Sequence, residues 1–296
     1  MKILKRSFRG GHYFIRFSGD PVAEIFQPAI PSQIIVPLQQ GFGQKVRPLV
    51  KRGEVVKAGQ IIGRDDEVVS SPLHAPVNGT VSAVKSFAYF GKKVQTVLIS
   101  PDGSSDWQPL EGGSAQWSEL PPEKLEELVY LSGVTALGSS GIPTSYKSSV
   151  VGPLDIKHVI VHHAEADVFN PSLAVLLKND RFLHFVEGMK IVQALMRNAK
   201  LHLALNFKLI EQLFNISDAF DDGGKVSYYT LKPKYPQHQD EVLISTILKS
   251  TIPPGSVPAE SGIVTLTVQD VLHVYDAVVT GKPLIEQMML LAGPGF

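Results

Sequence analysis

The residues best suited to chemistry in this 296-residue chain lie in three short segments of its second half. The first is Leu137-Gly138-Ser139-Ser140-Gly141-Ile142-Pro143-Thr144, with Lys147 close behind. Glycines let a backbone turn sharply and present its N–H groups, a proline fixes the exit, and a hydroxyl and an ammonium complete a phosphate cradle. Gly138, Ser139, Gly141, Thr144 and Lys147 are therefore candidate phosphate-binding residues. The spacing is not that of a dinucleotide fingerprint, and a plain glycine-rich turn accounts for the same residues.

The second segment is Val161-His162-His163-Ala164-Glu165-Ala166-Asp167. Two histidines and two carboxylates suggest a metal, but successive residues of a strand point to opposite faces. His162 and His163 then cannot share one ion, and the usual chelating spacing is missing. Glu165 and Asp167 could share a face, and a polar strand end lining a cleft, with no metal, is the expectation. The third segment joins the Pro/Gly loop Ile252 to Gly262 to Val268-Gln269-Asp270-Val271. There Gln269 or Asp270 could cap the next helix or touch a ligand, and capping is the reading favoured for Asp270.

Each segment needs an element to hold it. From Gln33 to about Ser100, short apolar runs alternate with Gly, Pro and Asn turns, which predicts an all-β domain. Asn78-Gly79 before a strand reads as a hairpin signal. The pattern resembles the barrel-sandwich hybrid of lipoyl and biotinyl carriers, but no lysine stands at the tip, and Lys51 and Lys57 are ordinary turn charges. Residues 1–30 form an arm without clear period. Residues 101–122 read as a linker with two exposed tryptophans, Trp107 and Trp117.

Beyond the linker, strands predicted from Ile156, Lys200, Lys225 and Gly262 alternate with helices from Pro122, Leu183, Lys208, Gln239 and Gln269. This alternation predicts βαβ units in an open, mostly parallel α/β sheet, whose ligands bind beyond the carboxyl ends of the strands. The expected domains are 1–112, the arm and barrel-sandwich hybrid, and 118–296, the Rossmann-like α/β domain.

The 28 basic and 28 acidic residues balance, so no global field favours nucleic acid. The absence of cysteine excludes disulfides, a cysteine nucleophile and thiolate-held iron–sulfur clusters within this sequence. No run approaches the ~20 apolar residues of a transmembrane helix, and the basic start lacks a secretory apolar core. The expectation is a cytoplasmic chain, attached to the inner membrane only through partners.

In order along the chain, several motifs resemble the RnfC family, the peripheral NADH-facing subunit of Rnf ion-translocating electron-transport complexes. That family is itself similar to the flavin-binding subunit of respiratory complex I. The motifs are Arg9-Gly10-Gly11-His12, the run from Val69 to Val81, the loop Leu137 to Lys147, Lys234-Tyr235-Pro236-Gln237, Ile252 to Gly262 and Tyr275-Asp276-Ala277-Val278. The resemblance implies FMN held by the glycine loop, NADH as hydride donor, Glu165 near flavin or nicotinamide as the candidate catalytic residue, and Gln269 where an asparagine reaches the cofactor. It also implies membrane subunits as partners.

Departures keep two other readings open: a scaffold module that has lost the flavin, and a subunit similar in role to the quinone-reductase subunit NqrA. Ala136 replaces a glycine, Ser139 and Ser140 replace a Gly-Ala pair, and His162-His163 replace Asn-Gly. The family continues into a β-grasp-like domain and a cysteine-rich segment, so the sequence is expected to be a fragment or a shortened paralogue.

Overall fold

The structure, a computed structural model, describes residues 3–13, 24–40, 44–65, 70–89, 91–134, 155–163, 170–214 and 226–291. Strand β1 (Ile3–Arg6) comes first and is placed below. The next seven strands are β2 (Ile34–Pro37), β3 (Arg47–Pro48), β4 (Val55–Val56), β5 (Ile61–Arg64), β6 (Leu73–His74), β7 (Gly79–Tyr89) and β8 (Lys92–Pro101). They form two antiparallel sheets, ordered β2-β8-β7-β4 and β3-β5-β6. Alternate side chains from both sheets, among them Val36, Ile62, Val81, Val97 and Ile99, fill the space between them.

The Asn-Gly signal does not make a hairpin. β6 pairs with β5, whereas β7 pairs with β4 and β8, so Asn78-Gly79 carries the chain from one sheet to the other. The asparagine side chain explains the difference. Its Oδ1 accepts from the Ala58 amide at 2.6 Å, and its Nδ2 donates to Ser104 Oγ, to the Asp106 carbonyl and to Asp106 Oδ1 at 2.7–2.9 Å. Gly79 packs against the Ser100 carbonyl with no room for a Cβ. The tip that a carrier domain would offer to solvent is here a buried crosslink.

The linker is ordered by both halves. Gln108 N donates to Ala58 O, Leu110 N to Gly281 O and Ser114 N to Val278 O. Trp117, expected to be exposed, is buried. It sits on a short 3₁₀ turn (Trp117–Glu119) and its Nε1 donates to Glu187 Oε1 at 2.8 Å, so the indole fills the core with its one polar atom satisfied.

The second half holds α1 (Pro122–Leu131), β9 (His158–His162), α2 (Leu173–Leu176), α3 (Arg181–Leu195), β10 (Lys200–Ala204), α4 (Phe207–Phe214), β11 (Val226–Leu231), α5 (Asp240–Leu248), β12 (Ile263–Thr267) and α6 (Val268–Tyr275). Its sheet is entirely parallel, ordered β1-β11-β10-β9-β12. Chain order runs outward from β9 to β11, then returns to β12 on the other side of β9. Side chains of α3, α4 and α6 pack on one face with Val159, Val161, Leu201, Leu203, Val264 and Leu266. Those of α5 pack on the other with Ile160, Ala204, Tyr229 and Ile263. Such a change of face accompanies a change of direction when crossovers keep one hand. Gly188 of α3 lets α6 approach, since a Cβ there would meet Val271 O at 2.5 Å.

The edge strand β1 comes from the N-terminal arm, whose sequence shows no period. It lies beside β11 with Lys5 opposite Thr230 and Arg6 opposite Leu231. The arm is then tied to the loop after β11. His12 and Tyr235 exchange backbone hydrogen bonds, and Lys234 Nζ donates to the Phe8 and Gly10 carbonyls while lying 4.4 Å from the Phe8 ring centroid. Two motifs far apart in sequence, Gly-Gly-x-His and Lys-Tyr-Pro-Gln, thus form one contact.

Candidate functional site

Because chain order reverses at β9, the crevice above the carboxyl ends of β9 and β12 is where an open parallel sheet binds ligands. Gly138, Ser139, Gly141, Thr144, Lys147 and Glu165 lie outside the described residues, as do Ala136 and Ser140. What is described is the point from which the glycine segment departs. At the end of α1, Ser132 Oγ donates to Val129 O and receives the Val134 amide, and Leu284 N donates to Ser132 O. Gly133, with φ +81°, has the Pro72 carbonyl 3.1 Å and the His74 ring 3.6 Å from where a Cβ would stand. The barrel-sandwich domain therefore braces this departure directly. Burial pushes the His74 imidazole down to about 4, against the pull of the Leu131 carbonyl it bonds.

At the end of β9, His162 and His163 point to opposite faces, as alternation requires, and both are buried. Burial, with His163 and His238 nearby, pushes His162 down to about 3, so it is neutral at physiological pH. Its Nδ1 has no hydrogen-bond partner among the described residues. Among those residues, too, no cluster of three or more histidines and carboxylates is arranged to hold a metal.

At the start of α6, Thr267 and Asp270 form a reciprocal cap. Thr267 N donates to Asp270 Oδ2 at 2.7 Å, and Asp270 N donates to Thr267 Oγ1 at 3.1 Å. Burial raises the Asp270 carboxyl to about 6 against those two bonds, with Asp240 adding a further push. Thr267 is thus the N-cap of α6, and Asp270 is its reciprocal partner at the third helical position. Gln269, between these two residues, is also buried, and its Nε2 has no partner among the described residues. A buried amide donor left open costs about 1–3 kcal/mol, so such a group marks either strain or a place for a ligand.

The loop after β11 adds residues that sequence reasoning passed over. Gln237 is 1% exposed, with an unpartnered Oε1 and only a long 3.4 Å contact from Nε2 to Thr246 Oγ1. His238 Nδ1 and Asp240 Oδ2 are also unpartnered, while Asp240 Oδ1 accepts from Thr265 Oγ1 at 2.7 Å. Burial raises the Asp240 carboxyl, and the Thr265 hydroxyl opposes the rise. Lys234-Tyr235-Pro236-Gln237 was the available signal, but nothing in its spacing shows that the residue after it, His238, comes near His162. Next to this loop, a cleft of about 310 Å³ opens over the ends of β1, β11 and β10, with His163, Asn206 and Gln237 in its lining.

The similarities of the chain fit this arrangement. Residues 17–104 match the RnfC barrel sandwich hybrid domain, and residues 129–276 match the Nuo51 FMN-binding domain. A component of the proton-translocating ferredoxin:NAD(+) oxidoreductase complex of Clostridium ljungdahlii is 26% identical over 295 residues, covering 98% of this chain and 64% of the relative. Its counterpart in the Na(+)-translocating complex of Acetobacterium woodii is 25% identical over 264 residues, covering 89% and 59%. A component of the ion-translocating oxidoreductase complex of Pseudomonas aeruginosa is 30% identical over 274 residues, covering 91% and 35%. The chain spans less than two thirds of the length of each of these relatives.

Proposed function

The chain belongs to the Nuo51 FMN-binding domain family, with an RnfC barrel sandwich hybrid domain ahead of it, and on that premise we propose that it is an RnfC-like subunit of a membrane-bound electron-transport complex, bringing NADH to FMN. The observation that carries the reading is Gln269, whose buried Nε2 lacks a partner at the strand end where the resemblance expects a cofactor contact. The residues present suit a flavin, whose pyrimidine edge offers carbonyls to such a donor. FMN, when bound, supplies the redox chemistry by accepting a hydride from the nicotinamide.

The chain's part is binding and electrostatics. Gly138, Ser139, Gly141, Thr144 and Lys147 would hold the flavin phosphate, and Glu165 would stand beside flavin or nicotinamide. Neutral His162 brings no charge into the crevice. Membrane subunits of an Rnf-type complex are the proposed partners, on the cytoplasmic side of the inner membrane. No helix among the described residues is long and apolar enough to cross a membrane.

A second reading, a scaffold module without flavin, has one observation in its favour. His162 and His163 set buried imidazoles where the resemblance has Asn-Gly, and His163 lines the cleft. Absorbance separates the two. A yellow purified protein that retains FMN, and loses it on Gly141→Val, supports the redox reading. A colourless protein with no thermal shift in excess FMN or NADH overturns it.

A further inference from the structure

The cleft over the ends of β1, β11 and β10 has a charge pattern that the chain as a whole lacks. Lys5 and Lys232 both line it, and among the described residues no carboxylate does, although basic and acidic residues balance over the sequence. Register explains the convergence. Lys5 pairs with Thr230, and Lys232 follows two residues later, so the two lysines project on the same side of the sheet. Both are exposed, and neither forms a salt bridge among the described residues.

A helix start adds to the positive character. Asn206 Oδ1 caps the Leu209 amide at the N-terminus of α4, and the first amides of that helix have no intrahelical acceptor. Asn206 and Phe207 line the cleft, and Phe207 is 54% exposed, an aromatic face at the rim. The floor, Ala204 and Leu205, is apolar. Two ammonium groups, a helix N-terminus, an exposed ring and an apolar floor suit an anion attached to a flat heterocycle.

We propose that this cleft takes the phosphate groups of a nucleotide, with Lys5 and Lys232 as its charged contacts. The ligand class rests on the reading above, whereas the residues do not: Lys5 lies outside both matched segments, 17–104 and 129–276. The N-terminal arm thereby becomes part of the binding site.

Isothermal titration of the full chain at low salt tests this with three probes: FMN, NADH and inorganic pyrophosphate. Lys5→Gln and Lys232→Gln, both at exposed positions, should melt like wild type, and each should weaken binding about tenfold, the worth of one charge-assisted contact. Loss confined to NADH assigns the cleft to the dinucleotide, whereas loss confined to FMN keeps the cleft as a phosphate site and overturns the assignment of the flavin phosphate to the glycine segment. Lysine-dependent binding of pyrophosphate, with neither nucleotide bound, keeps the cleft and removes the redox reading. The proposal is overturned if wild type binds none of the three, or if the double variant binds them within twofold of wild type.

Discussion

Two buried side-chain amides, one in each half of the molecule, are treated in opposite ways. Asn78, between the two sheets of the barrel-sandwich domain, meets Ala58, Ser104 and Asp106 with both ends of its amide. Gln269, above the parallel sheet, leaves its Nε2 unpartnered among the described residues, and His162, Gln237, His238 and Asp240 of the same half each leave an atom open as well. A satisfied buried amide holds a fold in one arrangement, while an unsatisfied one costs stability unless something else completes it. The first half reads as bracing and the second as a site.

Acid should separate the halves most strongly. His162, His202 and His273 of the α/β half, and His74 at its border, have native values pushed down by burial to between about 3 and 4. The unfolded chain takes up these protons near pH 6.5 and the native state does not. Their contribution is therefore complete above that pH and is lost as pH falls below it. Asp270, raised to about 6, acts in the opposite sense and offsets one of the four. Asp240 and Asp276, also raised by burial, offset the loss further, so a net loss between pH 7.5 and 5.5 is expected that stays below about 4 kcal/mol, the worth of three protons at about 1.4 kcal/mol per proton and pH unit. Denaturant titrations at both pH values check it. Hydrogen exchange should show the α/β half opening first, and an equal response from both halves would break the contrast.

Asn78→Ala should follow, costing about 3 kcal/mol in a denaturant titration, because the Ala58 amide is orphaned when the crosslink goes. A loss below 1 kcal/mol would mean that the crosslink is not the brace described. Gln269→Leu sharpens the comparison from the other side. Stability should stay within about 1 kcal/mol of wild type, since the amide donor completes nothing in the protein alone, while FMN affinity falls about tenfold. A stability loss matching that of Asn78→Ala would show both amides to be structural. Lys57→Gln should do least. Its 3.5 Å pair with Asp106 is exposed on both sides, so unfolding should shift by less than about 0.5 kcal/mol.

Much of the α/β half is legible in the sequence because its signals are local. The β-branched run into His162 marks β9, Pro122 and the acidic residues after it start α1, and Thr267-x-x-Asp270 writes a cap into the chain. Ile3-Leu4-Lys5-Arg6 carries no alternation, and what makes it a strand is a partner more than 220 residues away. Asn78-Gly79 misleads for the same reason, since its side-chain partners, Ala58 on one side and Ser104 and Asp106 on the other, lie 20 or more residues away. For the site, Gln269 was reachable through resemblance. Lys5 and Gln237 come together only where strands from opposite ends of the chain finish side by side.

The placement of β1 also has a consequence in time. Residues 3–6 are synthesised long before their partners at 228–231, which come more than 220 residues later, and Lys234 reaches back across 226 positions to Phe8. Pairing of such high contact order forms late, after the local barrel-sandwich contacts. Until then the nascent arm has no native partner, and β11 has an open edge that another chain could occupy. The pairing of β1 with β11 is therefore a late event, and any change to the N-terminal arm acts on that step rather than on the barrel-sandwich domain.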